Sequence, residues 1–432
     1  MRISRMNWVV LTSVTTLLAV LSACSSPAVT GMIVHMQNQE YQETIHLADS
    51  VIANGEGENP EVWLWRGRAL ANLSDWVGAS ESFTKVHSLD PTVDLSEYWF
   101  AFFNAGITLM GEDDVQGAVD MLLSGREIIP SAPNFDLMLG DIELNVNSDL
   151  DAALIRFQEA GTKAVAQSAM YGQLIEETED PMMYEYYAQM LDQSDVLAIQ
   201  AYFNSGSIYS MKALTVSAEE ASGLLQQARD SYEFALGIDP TNVDVLGAIA
   251  DACMLQGDYE GALVVFDDAM TQVDLGVSEG WLGPEDADQL RADMRISIGF
   301  AYIEMENYEM AIENLESARA LLGDEFIVLA TLAHAYFVME EYDLSLALLD
   351  SAVGMEGLSP DDLANAYQMK FACYSRMEMD PEAAVALETA LQFQPDNARY
   401  WELLASTYSR LGRRNDAIEA MQKAEDLDAL SE

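Results

Sequence analysis

Residues 401–424 read WELLASTYSRLGRRNDAIEAMQKA and contain two runs of apolar and small residues separated by Gly412. In the first run, Leu404 and Ala405 each lie three or four residues from both Trp401 and Tyr408. In the second run, Ala417, Met421 and Ala424 follow one another at intervals of four and three. Such spacing places each set on one face of a helix. The stretch therefore predicts two amphipathic helices joined by a short turn at Gly412.

The same pattern recurs through most of the chain. Tyrosines repeat at intervals of 34 residues in the pairs Tyr302 and Tyr336, Tyr308 and Tyr342, and Tyr374 and Tyr408. A repeat of this length is typical of a supersecondary unit that stacks on its neighbours. Copies are predicted to begin near residues 60, 99, 134, 199, 243, 292, 326, 364 and 398, after a shortened copy at 26–58.

Residues 401–417 resemble the tetratricopeptide repeat, whose signature is Trp-x2-Leu-Gly-x2-Tyr followed by Ala-x3-Phe. Residues 63–83 resemble it too, with Arg66-Gly67 and Ala79-x3-Phe83. The resemblance implies an all-α fold, a right-handed superhelical solenoid of about nine to ten stacked helix pairs. It also implies a concave, protein-binding face built mainly by the first helix of each pair.

Small residues are expected where the two helices of a pair cross, because axes about 8–10 Å apart leave little room for side chains. Gly67, Gly106 and Gly299 occupy this position in three of the predicted first helices. Asp141 and Phe371 stand at the same predicted position in two other copies. We therefore expect looser packing in those two copies.

The N-terminus has the pattern of a targeting segment. Arg2 and Arg5 precede an apolar run at 8–21, which is too short to span a bilayer and is typical of a secretory signal peptide. The run ends in Leu21-Ser22-Ala23-Cys24, which resembles the lipobox of bacterial lipoproteins. This implies cleavage before Cys24 and lipid, including palmitate, on Cys24; a chance cysteine after an ordinary signal peptide is the alternative. Ser25, in place of Asp, favours the outer membrane and its periplasmic face.

The predicted organisation is a signal peptide at 1–23, a lipidated cysteine and short tether at 24–30, a repeat block at 31–167, an interruption at 168–198 and a second repeat block at 199–432. The interruption is interpreted as a degenerate repeat, with a hinge or a partner-binding insertion as alternatives. A loop is also predicted at 277–291, inserted between two copies.

The composition excludes several classes of function. With 72 acidic and 20 basic residues, the formal charge is −52, which opposes binding to nucleic acid. The four histidines and three cysteines lack metal-ligand spacing, and no nucleophile or phosphate-loop motif is present. We therefore expect no enzyme activity, no metal and no cofactor besides the covalent lipid on Cys24. Cys253 and Cys373 are predicted to be buried and unpaired.

The register carried over from the resemblance places ten residues on the concave face: Phe100, Phe103, Ile107, Met110, Phe135, Met138, Ile142, Phe203, Phe300 and Phe337. An apolar lining in an acidic protein favours protein partners with an apolar helix or extended segment and basic flanks. Relatives of this plan act in exopolysaccharide export, pilus or secretion systems, and outer-membrane biogenesis. The alternatives are that these residues fill a core, that the chain is a partner-dependent enzyme subunit, or that Trp63, Trp65, Trp76 and Trp99 bind glycan.

Overall fold

The computed structural model describes residues 26–431, and this part of the chain is helical with no strand. Its twenty α-helices are α1 (Pro27–Gln37), α2 (Tyr41–Val51), α3 (Pro60–Asn72), α4 (Trp76–Leu89), α5 (Trp99–Gly111), α6 (Val115–Ile128), α7 (Pro133–Asn145), α8 (Leu150–Glu177), α9 (Pro181–Ala213), α10 (Ala218–Ile238), α11 (Val243–Gln256), α12 (Tyr259–Glu279), α13 (Pro284–Glu304), α14 (Tyr308–Leu322), α15 (Phe326–Val338), α16 (Tyr342–Val353), α17 (Pro360–Arg376), α18 (Asp380–Phe393), α19 (Ala398–Arg410) and α20 (Arg414–Ser431). The predicted all-α fold is confirmed. The signal peptide and Cys24 lie outside the described residues.

The described residues divide into two compact units, 26–208 and 209–431. In the first unit, helices pack as the pairs α1/α2, α3/α4, α5/α6 and α7/α8. In the second unit, the pairs are α11/α12, α13/α14, α15/α16, α17/α18 and α19/α20, and α10 packs against α11. Each unit is therefore a stack of antiparallel helix pairs, as predicted for a repeat solenoid. Among the described helices, none is long and apolar enough to cross a bilayer.

The turn within each pair follows one pattern. One residue with a positive φ angle lies between the two helices of all nine pairs: Gln39, Ser74, Asp113, Ser148, Gly257, Glu306, Glu340, Glu378 and Gly412. An acid or amide next to it often caps the second helix, as where the Asp75 carboxylate accepts a hydrogen bond from the Gly78 amide at 3.0 Å. These turns end one helix and begin the next within a few residues, which explains why consecutive helices lie side by side.

The predicted close crossings are confirmed in three pairs. A Cβ atom built on Gly67 would lie 2.7 Å from the Phe83 ring, and one on Gly299 would lie 2.7 Å from Leu315. A Cβ atom on Gly106 would lie 2.9 Å from Leu122. In each case the second helix places a large side chain directly over the glycine, so an added Cβ would force that side chain to shift.

Residues 168–198 form the end of α8 and the beginning of α9, separated by the short turn 178–180. The predicted loop at 277–291 is wrong, because α12 continues to Glu279 and α13 begins at Pro284. Gly280 and Gly283 form a tight turn there rather than an inserted segment, and both adjoining helices are 21 residues long.

Both described cysteines are buried and unpaired, as predicted. The Cys373 thiol donates to the Ser345 hydroxyl at 3.3 Å. Burial raises the pKa of both thiols above the ordinary value, so they stay protonated at neutral pH.

Candidate partner-binding site

Helix α5 is predominantly apolar, and its two faces differ in burial. Phe102, Ala105 and Gly106 are buried in the core of the first unit. The opposite face carries residues at the helical spacing three, four, three: Phe100, Phe103, Ile107 and Met110. We call these four residues the α5 surface.

Ile107 is the open centre of the α5 surface, with 48 % of its area exposed. Phe100, Phe103 and Met110 are half-buried and pack against the core of the first unit. The Phe100 ring lies 6.0 Å from that of Trp76, edge to face, and the Phe103 ring lies 5.9 Å from that of Trp99. The aromatic residues are thus fixed by their neighbours, while Ile107 is available for contact.

An arginine on α3 occupies the position that corresponds to Ile107 on α5. Arg68 follows the crossing residue Gly67, as Ile107 follows Gly106. Its guanidinium donates to the Tyr98 hydroxyl at 2.5 Å and to Glu97 at 3.1 Å, and it stacks 4.6 Å from the Trp65 ring. Burial raises the pKa of Tyr98, so its hydroxyl stays neutral. The Arg68 guanidinium is therefore already bonded within the protein.

On α7 the sequence-based register is wrong by one residue. Gly140, not Asp141, lies at the crossing, where a Cβ would be 2.7 Å from the Phe157 ring. The turn from α7 to α8 has four residues where the turns after α3 and α5 have three, so counting back from α8 misplaces α7 by one.

This shift changes three of the predicted groove residues. Phe135 and Ile142 are buried, so the prediction that they line a groove is wrong. Met138 is half-buried against the core of the first unit. The position equivalent to Ile107 belongs to Asp141, so the expectation that Asp141 lies at the crossing and loosens this copy is wrong.

Asp141 is an unusual residue for that position. Burial raises the pKa of its carboxyl above the ordinary value, with no opposing cause. Across residues 26–431 no ion pair to its carboxylate is found. The basic residues Arg126, Arg156 and Lys163 pair instead with Asp136 and Glu159. A half-buried carboxylate without a counter-ion is suited to receive a cation from a partner.

A charged cluster that no local sequence pattern indicates joins α6, α7 and α8. The Asp136 carboxylate is fully buried and accepts hydrogen bonds from Arg126 at 2.6 Å and Lys163 at 2.5 Å, with Arg156 at 3.7 Å. Arg126 also donates to Glu159 at 2.6 Å. Burial acts to lower the pKa of Arg126, but the carboxylates of Asp136 and Glu159 outweigh this effect, so the pKa is raised above its ordinary value. The Lys163–Asp136 and Arg126–Glu159 contacts join residues 27 and 33 positions apart in the chain, so no local sequence pattern reveals them.

The other predicted groove residues lie on first helices and are half-buried. Phe203 is on α9 in the first unit. In the second unit, Phe300 packs against the core of α13–α15, and the Phe337 ring lies 5.7 Å from that of Tyr342. None of the three is as exposed as Ile107, so the α5 surface is the most accessible part of the predicted set.

Nothing in the described residues brings together ligands for a metal ion. One open cleft of about 500 Å³ lies in the second unit and is lined by Asp239, Thr241, Asp244, Trp281 and Leu290, among others. The Asp239 carboxylate there accepts hydrogen bonds from the backbone and hydroxyl of Thr241 and so serves the turn before α11.

Comparison with known proteins identifies the repeats. Models of the tetratricopeptide repeat match residues 220–274, 292–318 and 398–429, which belong to α10–α14 and α19–α20. No curated protein matches the chain. The chain therefore contains tetratricopeptide repeats.

Solved structures with similar folds share little sequence with this chain. MamA from Desulfovibrio magneticus RS-1 is 18 % identical over 43 % of this chain and 95 % of its own, with a TM-score of 0.35. YrrB, described as a TPR protein with an unusual peptide-binding site, is 20 % identical over 46 % and 93 %, with a TM-score of 0.34. The Cut9–Hcn1 hetero-tetramer of APC/C is 13 % identical over 92 % of each chain, with a TM-score of 0.38. The likeness concerns the helical-repeat fold alone.

Proposed function

We propose that this protein is a non-catalytic adaptor, anchored by lipid on Cys24 to the periplasmic face of the outer membrane. It binds protein partners on the α5 surface and recruits them to an envelope machine of the kind used in polysaccharide export, secretion or outer-membrane biogenesis. The observation that carries this proposal is the half-exposed Ile107 at the centre of a fixed aromatic face. Fixed apolar surface binds without a large ordering cost, which favours recognition of a helix or extended segment.

The charge of the chain supports a partner with basic flanks. The formal charge is −52, and Asp141 occupies the position on α7 that Ile107 occupies on α5. Arg68, at that position on α3, is already bonded to Tyr98 and Glu97. Such a partner places apolar side chains on the α5 surface and a lysine or arginine near the Asp141 carboxylate. Its association with the acidic chain is faster at low salt.

The proposed anchor depends on the N-terminal sequence. Cleavage before Cys24 leaves two residues between the lipid and α1, whose first turn is capped by Ser26 through a hydrogen bond from Val29 at 3.3 Å. Two or more acyl chains anchor a protein stably, whereas a single chain binds only marginally. The first repeat is therefore held close to the membrane surface.

The tryptophans favour packing over glycan binding. Trp63 donates its indole N–H to the Gly57 carbonyl at 2.9 Å, and Trp65 lies under Arg68. Trp76 and Trp99 contact Phe100 and Phe103. All four side chains are half-buried, so no open stacking platform is formed by them.

The test of the binding surface is an Ile107→Glu substitution in the full chain, followed by crosslinking and capture from the envelope. Ile155→Glu is the matched control, because Ile155 is 57 % exposed but lies on the second helix of a pair in the same unit. A partner lost in Ile107→Glu, retained in Ile155→Glu and retained at high salt supports the proposal. Equal capture by both variants contradicts it.

The anchor is tested separately with Cys24→Ala. Wild-type protein is expected in the outer-membrane fraction with a lipid-modified N-terminus, and the variant is expected to lose that modification. An unmodified Cys24 in mature wild-type protein would contradict the anchor without affecting the binding proposal.

A further inference from the structure

The distal parts of α8 and α9 form a helical hairpin whose outer half lacks a core. Residues 165–193, which we call the hairpin arm, contain no buried residue, whereas Ala164 and Ser194 at its base are buried. The portion from 165 to the end of α8 is about 20 Å long at 1.5 Å per residue. The helices contact each other through Tyr171 and Tyr187, whose rings lie 6.3 Å apart.

The first turns of α9 are apolar around most of their circumference. The segment 181–191 reads PMMYEYYAQML, in which only Glu185 and Gln189 are strongly polar. Tyr187 faces α8, while Met182 and Tyr186, one helical turn apart, are exposed, Met182 to 63 %. Helices that are apolar all round are normally covered on more than one side. The arm thus has a contact face that α8 alone does not cover.

The charge around this face is uniformly negative. Seven acidic residues and no basic residue lie between Lys163 and Lys212: Glu176, Glu177, Glu179, Asp180, Glu185, Asp192 and Asp195. A second copy of the arm would bring the same charges together, and an anionic membrane would repel them. A cationic amphipathic helix can pack its apolar side against this face and place its basic side chains near the surrounding acids. Exposed tyrosine rings also attract arginine and lysine side chains through their faces.

We propose that the tip of the hairpin arm is a second docking surface, seated on Met182 and Tyr186, for a basic amphipathic helix of a partner protein. This surface lies outside the α5 surface, and the proposal does not depend on the function proposed above. Together the two surfaces allow one chain to hold two protein segments at once.

The experiment measures binding of a synthetic Leu/Lys amphipathic helix of about five turns to the full chain, with a Leu/Glu helix of the same pattern as the probe control. The double substitution Met182→Ser and Tyr186→Ser, called the seat variant, removes the two exposed apolar side chains at the tip without adding charge. Ile155→Ser with Val264→Ser is the matched control, since these residues are 57 % and 65 % exposed on other helices. Glu176→Gln with Glu179→Gln and Glu185→Gln tests the acidic border without altering the apolar seat.

We expect the Leu/Lys helix to bind wild-type protein and the matched control equally, and the seat variant roughly tenfold or more weakly. The border variant is expected to weaken binding mainly at low salt. Equal loss in the matched control, or equal binding of the Leu/Lys and Leu/Glu helices, overturns the proposal. Binding to phosphatidylcholine and phosphatidylglycerol vesicles is measured as well. If vesicle binding depends on Met182 and Tyr186 and peptide binding does not, the tip of the hairpin arm binds lipid, and the proposal is overturned.

Discussion

Gly67 lies directly under the ring of Phe83, so that a Cβ atom at Gly67 would be 2.7 Å from the nearest ring carbon. The ring has little freedom to move, because it is fully buried and stacks on Tyr98 at a centroid distance of 4.4 Å. This contact sets how closely α3 and α4 approach, and equivalent contacts recur in other pairs.

Gly67→Ala is therefore expected to destabilise the protein by about 1–3 kcal/mol, the usual cost of overpacking a core. The matched control is Gly172→Ala on α8, where no atom lies within 4 Å of the added Cβ. That substitution is expected to stabilise by about 0.5–1 kcal/mol, because alanine is the better helix former. Thermal unfolding followed by circular dichroism measures both; a neutral Gly67→Ala would show that the pair relaxes easily.

Asp136 is expected to be essential for the packing of α6, α7 and α8. Asp136→Asn leaves Arg126 and Lys163 without their shared buried carboxylate, at a cost of about 3 kcal/mol, the low end for a buried ion pair because both cations are partly exposed. Glu159→Gln is the comparison, because Glu159 is considerably exposed and its ion pairs are worth about 1 kcal/mol or less. Urea unfolding at neutral pH distinguishes the two variants, and equal midpoints would contradict a special role for the buried acid.

Three turns place a glutamate in the left-handed region, where side chains with a Cβ are strained. The φ angles of Glu306, Glu340 and Glu378 are 57°, 65° and 58°. Replacing one of them by glycine removes a strain of about 1–2 kcal/mol and adds flexibility to the unfolded chain, for a net gain of about 0.5–1 kcal/mol. Alanine at the same position retains the strain and is expected to bring no gain. A rise in the thermal midpoint with Ala as large as with Gly would refute this explanation.

Asp141 is expected to destabilise the folded protein at neutral pH. Burial raises its folded-state pKa above the ordinary value of 3.8, so the charged form is less favourable in the folded state than in the unfolded state. The penalty is complete above the raised pKa, decreases as the pH falls through it, and vanishes below 3.8. Asp141→Asn should therefore stabilise the protein at pH 7 and not at pH 3.

The same substitution separates stability from binding. If Asp141 receives a cation from the partner, Asp141→Asn gains stability but loses affinity for basic partners. Glu127→Gln, on the exposed surface of α6, is the control and should change neither quantity by much. Unfolding curves at both pH values and binding measurements at pH 7 test the two effects independently.

The repeat pattern could be predicted from the sequence because it is encoded locally. Helices α3, α5, α11, α15 and α19 begin at or within a residue of the predicted starts 60, 99, 243, 326 and 398. Spacing of three and four residues identifies a helix face, and small residues that recur at the same position of the repeat identify a crossing. Neither inference requires knowledge of distant parts of the chain.

By itself, then, the sequence determined that the chain forms paired helices and, in three pairs, which glycine lies at the crossing. Tertiary structure alone decided the register of α7, the convergence of Arg126 and Lys163 on Asp136, and the length of the hairpin arm. The turn after α7 has one more residue than the turns after α3 and α5. Asp141 therefore takes the position equivalent to Ile107, and Phe135 is buried. Helix periodicity shows which residues share a face but not how long the next turn is. Buried charge clusters depend on residues that are distant in the chain and adjacent in space, and only the packed fold brings them together.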